Sequence, residues 1–245
     1  MKRFLLGCAA LVLAAAPARA AGLSFTGETG LGRSPLAITA APGTVTVAAD
    51  YVASTDTFVP VRAELGLIEG VELGANYWYT GADNGLYGLG VNAKFATPLE
   101  LVENLNVAAG VGYQSFSGDA GFSAASAKAY GVLSYTWQRG ITLIPSAGVS
   151  YEIQGGEWDE FGARVFASVL VKPVPALEVG AEFVLANEDL DGQGADQQLW
   201  FGARFSPREN LAVQAGAMNM ANVGGGGDQG FVFHAGVQYV FTFAR

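Results

Sequence analysis

The sequence contains few of the residues on which most catalytic and metal sites depend, because its 245 residues include one cysteine and one histidine. Cys8 lies in an N-terminal segment that we expect to be removed on export, which excludes disulfides, thiolate metal sites and cysteine nucleophiles from the mature chain. His234 alone cannot supply a metal site built from several histidines. Basic residues are also scarce, with 13 Lys and Arg against 22 Asp and Glu, and this acidity argues against nucleic acid as a partner.

After its N-terminus the chain has no apolar run long enough for a membrane-spanning helix. Residues 1–20 begin with two basic residues, continue apolar from Phe4 to Ala16, and end on small residues up to Ala20, which is the order of a secretory signal peptide. The apolar stretch is shorter than the roughly 20 residues that a spanning helix needs. We therefore predict that residues 1–20 are a cleaved signal peptide.

The mature chain does contain apolar and polar residues in alternation, which is typical of β-strands. Leu177, Val179 and Phe183, for example, alternate with Glu178 and Glu182. Turn residues divide the pattern into twelve strand candidates, at about 44–53, 59–67, 71–80, 86–95, 105–115, 126–137, 141–153, 161–172, 176–186, 197–206, 211–220 and 230–243.

The alternation has the same phase in all twelve candidates, with apolar residues on odd numbers and polar residues on even numbers. The charged residues within the strands and away from their turns all have even numbers: Asp50, Arg62, Glu64, Glu72, Lys94, Lys128, Glu152, Arg164, Glu178, Glu182 and Arg204. One face of the sheet therefore excludes charge along its whole length. His234 belongs to the other, charged face.

Two architectures use such a sheet, a soluble β-sandwich and a transmembrane β-barrel. The even face is rich in glycine, which suits a crowded, inward-curved wall better than a solvated exterior. Aromatic residues such as Tyr51, Tyr79 and Trp137 lie near strand ends on the odd face, as the interfacial girdles of membrane barrels require. We therefore predict that residues 44–245 form an all-β, 12-stranded antiparallel transmembrane β-barrel in the cell outer membrane, with 10 or 14 strands as alternatives.

The segment between the signal and the barrel, residues 21–43, shows no strong alternation and contains Pro35, Pro42 and Gly43. It could lie in the periplasm or fold into the lower mouth of the barrel, and the sequence leaves both open.

An even number of strands places both termini on the periplasmic side of the membrane. The connections then assigned to the outside are acidic and contain no Lys or Arg. Glu188, Asp189 and Asp191 in one of these loops could bind a divalent ion or bridge through one to surface lipid. The simpler interpretation is a solvated acidic loop.

Two segments carry a family resemblance. The last strand, Tyr239-Val240-Phe241-Thr242-Phe243, resembles the aromatic C-terminal strand that outer-membrane barrel proteins present to their assembly machinery. Thr29-Gly30-Leu31 and Pro35 resemble the opening of a group of poorly characterised outer-membrane barrel proteins. These resemblances imply a porin-like barrel in contact with the barrel-assembly machinery, outer-membrane lipid and lipopolysaccharide. They imply no cofactor and no particular substrate.

Opposite charges on neighbouring strands predict ion pairs inside the barrel. Folding each hairpin about its turn brings together Asp50 with Arg62, Glu72 with Lys94, and Glu178 with Arg204. The same operation predicts a ladder across four strands, made of Lys128, Glu152, Arg164 and Glu182. A lumen filled by such pairs would be structural, whereas a hydrated one would line a narrow pore. The inward-facing glycines favour the pore because they create room.

The residue inventory argues against an enzyme. His234 points inward, whereas a lipid-acting serine hydrolase in a barrel needs its histidine at the lipid boundary. Carboxylate chemistry by loop acids such as Glu157 and Asp159 stays open, although nothing distinguishes them from solvated acids. We predict a narrow porin-like channel for small polar solutes. The alternative is a non-conducting structural or surface-binding barrel with acidic external loops.

Overall fold

The computed structural model of the protein describes residues 22–24, 26–32, 34–53, 57–80, 85–118, 123–156, 161–186, 197–219 and 231–243. These ranges contain no helix long and apolar enough to cross a membrane. Their strands, in chain order, are β1 (Thr44–Ala53), β2 (Phe58–Ile68), β3 (Val71–Thr80), β4 (Tyr87–Pro98), β5 (Leu105–Ser117), β6 (Ser123–Tyr135), β7 (Trp137–Arg139), β8 (Ile141–Gly156), β9 (Phe161–Val174), β10 (Leu177–Ala186), β11 (Gln197–Arg208), β12 (Leu211–Asn219) and β13 (Phe231–Thr242).

The strands form one closed antiparallel sheet. From β1 to β6, and again from β8 to β13, each strand pairs with the next in the sequence. Closure comes from the pairing of β1 with β13 and of β6 with β8. The short strand β7 pairs with β8 and continues the line of β6 beyond Thr136, whose N–H donates to the Asn104 carbonyl at 2.8 Å. The prediction of a 12-stranded barrel is therefore confirmed, with one short extra strand.

The end of the barrel at which β1 begins has mostly short connections. Glu69-Gly70 joins β2 to β3, and Pro175-Ala176 joins β9 to β10. Gly70 and Gly140 have φ angles of 75° and 77°, in the left-handed region that glycine adopts without steric cost. These turns hold neighbouring strands in tight hairpins.

Side-chain exposure alternates along the strands in the predicted phase. In β4, Leu89, Val91 and Phe95 are more than half exposed, while Asn92 and Lys94 are buried. The other strands follow the same pattern, with exposed apolar side chains on odd numbers and polar side chains turned inward. A surface of this kind must be covered by lipid, because water would not stabilise an apolar exterior around a charged interior.

Candidate functional site in the barrel lumen

An N-terminal segment of the chain lies inside the barrel. We call it the plug and define it as residues 22–24, 26–32 and 34–41. It folds back on itself, because Leu23 forms a β-bridge with Thr29 and Gly30 forms one with Pro35. The turn depends on Gly27, whose φ of 88° is in the left-handed region. The plug is deeply buried, and the exposed fraction of Glu28 and of Leu36 is 0%.

Inward-facing glycines of the barrel wall make room for the plug. A Cβ atom at Gly66 would collide with the carbonyl of Ala41, and one at Gly74 would collide with the carbonyl of Gly27. At Gly180 a Cβ atom would lie 2.9 Å from a methyl group of Leu31. The absence of a side chain at these three wall positions therefore lets the plug approach the wall closely.

Other inward-facing glycines are covered by side chains of adjacent residues or strands. Tyr130 lies over Gly110, Phe166 over Gly148, and Trp200 over Gly202. We expected the inner glycines to favour an open pore because they create room. The room they create is filled by the plug and by large side chains. A cavity of about 40 Å³ remains between the plug and the wall near Trp200, enough for a few water molecules.

The first half of the plug, residues 22–30, is held mainly by polar contacts of its backbone. The carbonyl oxygen of Thr26 accepts hydrogen bonds from the side-chain amides of Asn76 at 2.8 Å and Asn92 at 2.7 Å. Nη1 of Arg62 donates to the carbonyl of Leu23 at 2.8 Å and to that of Ser24 at 3.1 Å. These contacts satisfy backbone groups that have no strand partner.

Thr29 makes the densest set of contacts between plug and wall. Its N–H donates to Oε1 of Glu72 at 2.9 Å, and its hydroxyl lies 2.7 Å from Oε2 of the same carboxylate. The hydroxyl also contacts Glu64, and the Thr29 carbonyl accepts a hydrogen bond from Nζ of Lys94 at 2.8 Å. Lys94 in turn pairs with Glu72 at 2.6 Å. One plug residue thus joins two carboxylates and an ammonium of the wall.

Glu28 places the plug's own carboxylate against basic and hydroxyl groups of β6. Its Oε1 lies 3.2 Å from Nζ of Lys128 and accepts a hydrogen bond from the hydroxyl of Thr26 at 3.0 Å. Its Oε2 accepts a hydrogen bond from the hydroxyl of Tyr130 at 3.0 Å. The buried charge is thereby compensated.

The second half of the plug, residues 31–41, packs through apolar side chains. Leu31 and Leu36 form a buried cluster with Ile144 of β8 and Leu170 of β9. The N–H of Ala37 donates to Oγ of Ser134 at 2.8 Å. Apolar burial anchors this half, in contrast to the polar contacts of the first half.

The structure brings together four of the charge pairs expected from the sequence. Each is an ion pair between neighbouring strands: Asp50 with Arg62, Glu152 with Arg164, Glu72 with Lys94, and Glu178 with Arg204. The last two pairs lie directly opposite each other in the register, whereas Arg62 lies opposite Ala48 and reaches Asp50 diagonally.

The continuous ladder predicted across β6, β8, β9 and β10 does not form. Lys128 lies opposite Glu152, but its ammonium pairs with the plug, and Glu152 pairs with Arg164 at 3.4 Å. Arg164 lies opposite Ala186, four residues along β10 from Glu182. The prediction is wrong there because β9 continues to Val174 instead of ending at 172, which moves the turn and shifts the register.

Glu182 contacts the plug. Its Oε2 accepts a hydrogen bond from the N–H of Ser34 at 2.9 Å. The plug is held from several sides of the lumen. It contacts Glu182 of β10, Glu72 of β3 and Lys128 of β6.

His234 has both ring nitrogens in polar contacts within the lumen. Nε1 of Trp200 donates to Nε2 of His234 at 3.0 Å, and Nδ1 lies 3.3 Å from Oδ1 of Asp50. Since Nε2 accepts, the neutral ring carries its proton on Nδ1, directed at Asp50. Gln214 donates to the same Asp50 oxygen at 2.7 Å. The nitrogen that a general base would use is thus engaged by Trp200.

Several contact residues were missed by sequence reasoning. Glu28 lies in the segment that the sequence left open, and Asn76, Asn92 and Tyr130 are uncharged. The even numbering of the last three was the available signal, because polar and phenolic side chains on the inner face need partners there.

Some predictions concern residues outside the described ranges. These are the signal peptide at 1–20, the loop acids Glu188, Asp189 and Asp191, and the pair Glu157 and Asp159. Within the described ranges, no three His, Cys, Asp or Glu side chains are grouped so as to hold a metal ion.

No protein-family model matches the chain, and no curated protein matches it. Solved structures do match it. The KdgM porin in complex with disordered oligogalacturonate shares 10% sequence identity with a TM-score of 0.59, covering 80% of this chain and 99% of that one. The NanC porin shares 11% identity with a TM-score of 0.57, covering 80% and 98%. LpxR from Salmonella typhimurium shares 10% identity with a TM-score of 0.51, covering 80% and 99%.

These likenesses establish the fold. This chain has the fold of outer-membrane β-barrels. At identities of this size its activity must be argued from its own residues.

Proposed function

We propose that the protein is a narrow passive channel for small polar solutes, closed in this structure by the plug. The observation that carries the proposal is that the plug fills the lumen where the wall does not. Gly66, Gly74 and Gly180 have no side chain, and plug atoms lie within 3 Å of where a Cβ atom at each would be. A 12-stranded barrel encloses more room than an eight-stranded one, whose interior side chains just fill it.

The wall groups that contact the first half of the plug, residues 22–30, are mostly hydrophilic. Asn76, Asn92, Lys94 and Lys128 all contact the plug from the wall and would become accessible to water. A passage as wide as the plug and lined by amide and charged groups would admit small polar solutes. Two barrels of the same fold, KdgM and NanC, are named porins, which supports the proposal.

The second candidate function is a permanently plugged barrel with a structural or surface-binding role. The apolar cluster of Leu31 and Leu36 with Ile144 and Leu170 favours it, because displacing the plug would expose these side chains to water. Among the described residues, none of residues 22–30 belongs to a buried apolar cluster of this kind. Contacts with the barrel-assembly machinery and with lipopolysaccharide stay predictions under either candidate.

Single-channel recording in planar bilayers distinguishes the two candidates. We would compare the full chain with a variant in which residues 23–40 are replaced by a Gly/Ser segment of equal length. This replacement keeps the tether and removes the plug contacts. A channel should show long closed periods in the full chain and uniform ohmic openings in the variant. A variant that folds and inserts, as judged by strand circular dichroism and heat-dependent gel migration, but stays silent would overturn the proposal and favour the structural barrel.

A further inference from the structure

The Glu28 carboxylate contacts two side chains of the barrel wall, besides the hydroxyl of Thr26 in the plug itself. Lys128 and Tyr130 are two residues apart on the inward face of β6, and together they contact both oxygens of the Glu28 carboxylate. If the plug leaves the lumen, these two groups stay behind. They are a cation and a hydroxyl donor at a spacing that fits one carboxylate.

The wall holds Lys128 and Tyr130 in position. Tyr130 lies opposite Gly110 of β5, where a Cβ atom would collide with the phenolic hydroxyl. The ring lies over this glycine, and its hydroxyl contacts Glu28. Nζ of Lys128 lies 5.2 Å from the centre of the Tyr130 ring, within the range of a cation–π contact. The site is therefore partly organised by β5 and β6 alone.

Lys128 differs from other cations of the lumen because the carboxylate that pairs with it belongs to the plug and not to the wall. Wall carboxylates pair with five other cations: Arg62 with Asp50, Lys94 with Glu72, Arg164 with Glu152, and both Lys172 and Arg204 with Glu178. Within the described residues, Lys128 makes its ion pair with the plug. Glu152 lies opposite Lys128 in the register but pairs with Arg164. Loss of the plug therefore leaves those five cation–carboxylate pairs of the wall in place and uncovers a positive charge at Lys128.

We propose that Lys128 and Tyr130 form a binding site for the carboxylate of small acidic solutes, and that Glu28 fills this site while the channel is closed. A solute carboxylate competes with Glu28 for the same donors, so solute binding favours displacement of the plug. A ligand shifts such an equilibrium because it binds one state and not the other. This inference rests on the proposed channel function and adds the chemical class of the solute and a means of opening.

Acetate and acetamide are a matched pair of probes, since they have nearly the same shape and differ in charge. We would record single channels of the full-length protein in potassium chloride with added potassium acetate or acetamide, at constant ionic strength. Acetate should raise the open probability in a saturable manner, and acetamide should not.

Tyr130→Phe keeps the ring and removes one donor, which should raise the half-saturating acetate concentration about tenfold. Lys128→Met should abolish the acetate response.

Lys172→Met is the control for removing a lumen cation, because Lys172 pairs with the wall residue Glu178 at 2.6 Å. It should leave the acetate response unchanged. An equal response to acetate and acetamide, or an acetate response that survives Lys128→Met, would overturn the inference.

The two proposals fail in different ways. If the plug-replaced barrel conducts but acetate has no specific effect, the channel function stands and the carboxylate site falls. If that barrel is silent, calorimetry of acetate binding to the full-length Glu28→Gln protein still tests the site. Binding that disappears in the Glu28→Gln, Lys128→Met double variant supports the site, and binding that persists there rejects it.

Discussion

Thr29 of the plug contacts both oxygens of the Glu72 carboxylate, through its N–H at 2.9 Å and its hydroxyl at 2.7 Å. Glu72 also accepts a hydrogen bond from the N–H of Ala40 at 2.9 Å and pairs with Lys94. A single wall carboxylate therefore contacts the plug at two points, 11 positions apart in the sequence. This arrangement makes Thr29 the most direct place to weaken the closed state.

Thr29→Val should loosen the plug without changing the shape of the side chain much. Loss of the hydroxyl removes a hydrogen bond to a buried carboxylate, which costs about 1–3 kcal/mol. If that cost falls on the closed state, the open population rises about 5- to 150-fold. Open probability in planar bilayers and the rate of proteolysis within residues 22–41 would report the change.

Thr46→Val is the matched control for that substitution. Thr46 is a buried, inward-facing threonine whose hydroxyl has no hydrogen-bond partner in the described part of the chain. We expect neither open probability nor proteolysis to change. Equal effects of the two substitutions would contradict the role assigned to the Thr29 hydroxyl.

Gly74→Ala should displace the plug through steric conflict. A Cβ atom there would collide with the carbonyl oxygen of Gly27 and with the side-chain amide of Asn92, which itself bonds the plug at Thr26. Overpacking of this kind costs about 1–3 kcal/mol. The barrel should still fold, and its open probability should rise. Gly112→Ala tests the same change where space exists, since its Cβ atom would meet its nearest atoms at 3.6 Å. A rise in open probability for both variants would show that the effect is not specific to the plug.

The phase of the strands could be predicted from the sequence because a β-strand has a period of two residues. Val91 and Lys94 differ in parity, and this alone places them on opposite faces of β4. Registers were less predictable. A two-residue difference in the end of β9, from 172 to Val174, was enough to separate Arg164 from Glu182.

The plug could not be found from side-chain patterns, because backbone atoms make many of its contacts. The carbonyl oxygens of Leu23, Thr26 and Thr29 accept hydrogen bonds from wall side chains, and every residue type has such an oxygen. Glu28 also lies outside any alternating segment. Only the glycines of the inner face indicated that something close-packed lay against the wall, and they were compatible with an empty lumen as well.

Val91→Lys tests whether the outer surface faces lipid. Val91 lies near the middle of β4 with 55% of its surface exposed, and a lysine at the bilayer midplane of a barrel costs about 2–4 kcal/mol. The variant should unfold at a lower urea concentration from lipid vesicles. Leu101→Lys is the control, because Leu101 is 91% exposed in the connection between β4 and β5. Equal stability of the two variants would mean that Val91 does not contact lipid.

A reversible cross-link between the plug and β6 tests whether opening requires the plug to move. The N–H of Ala37 donates to Oγ of Ser134 at 2.8 Å, so cysteines at these positions lie within reach of a short, reducible bifunctional thiol reagent. The only other cysteine of the sequence is Cys8, in the predicted signal peptide. In the Thr29→Val background, the cross-linked protein should stay closed, and reduction should restore its openings.

The single variants Ala37→Cys and Ser134→Cys, treated with the same reagent, control for the modification itself. Openings that persist at the same frequency in fully cross-linked protein would show that the channel conducts while the second half of the plug stays in place, because residue 37 would then be fixed to the wall.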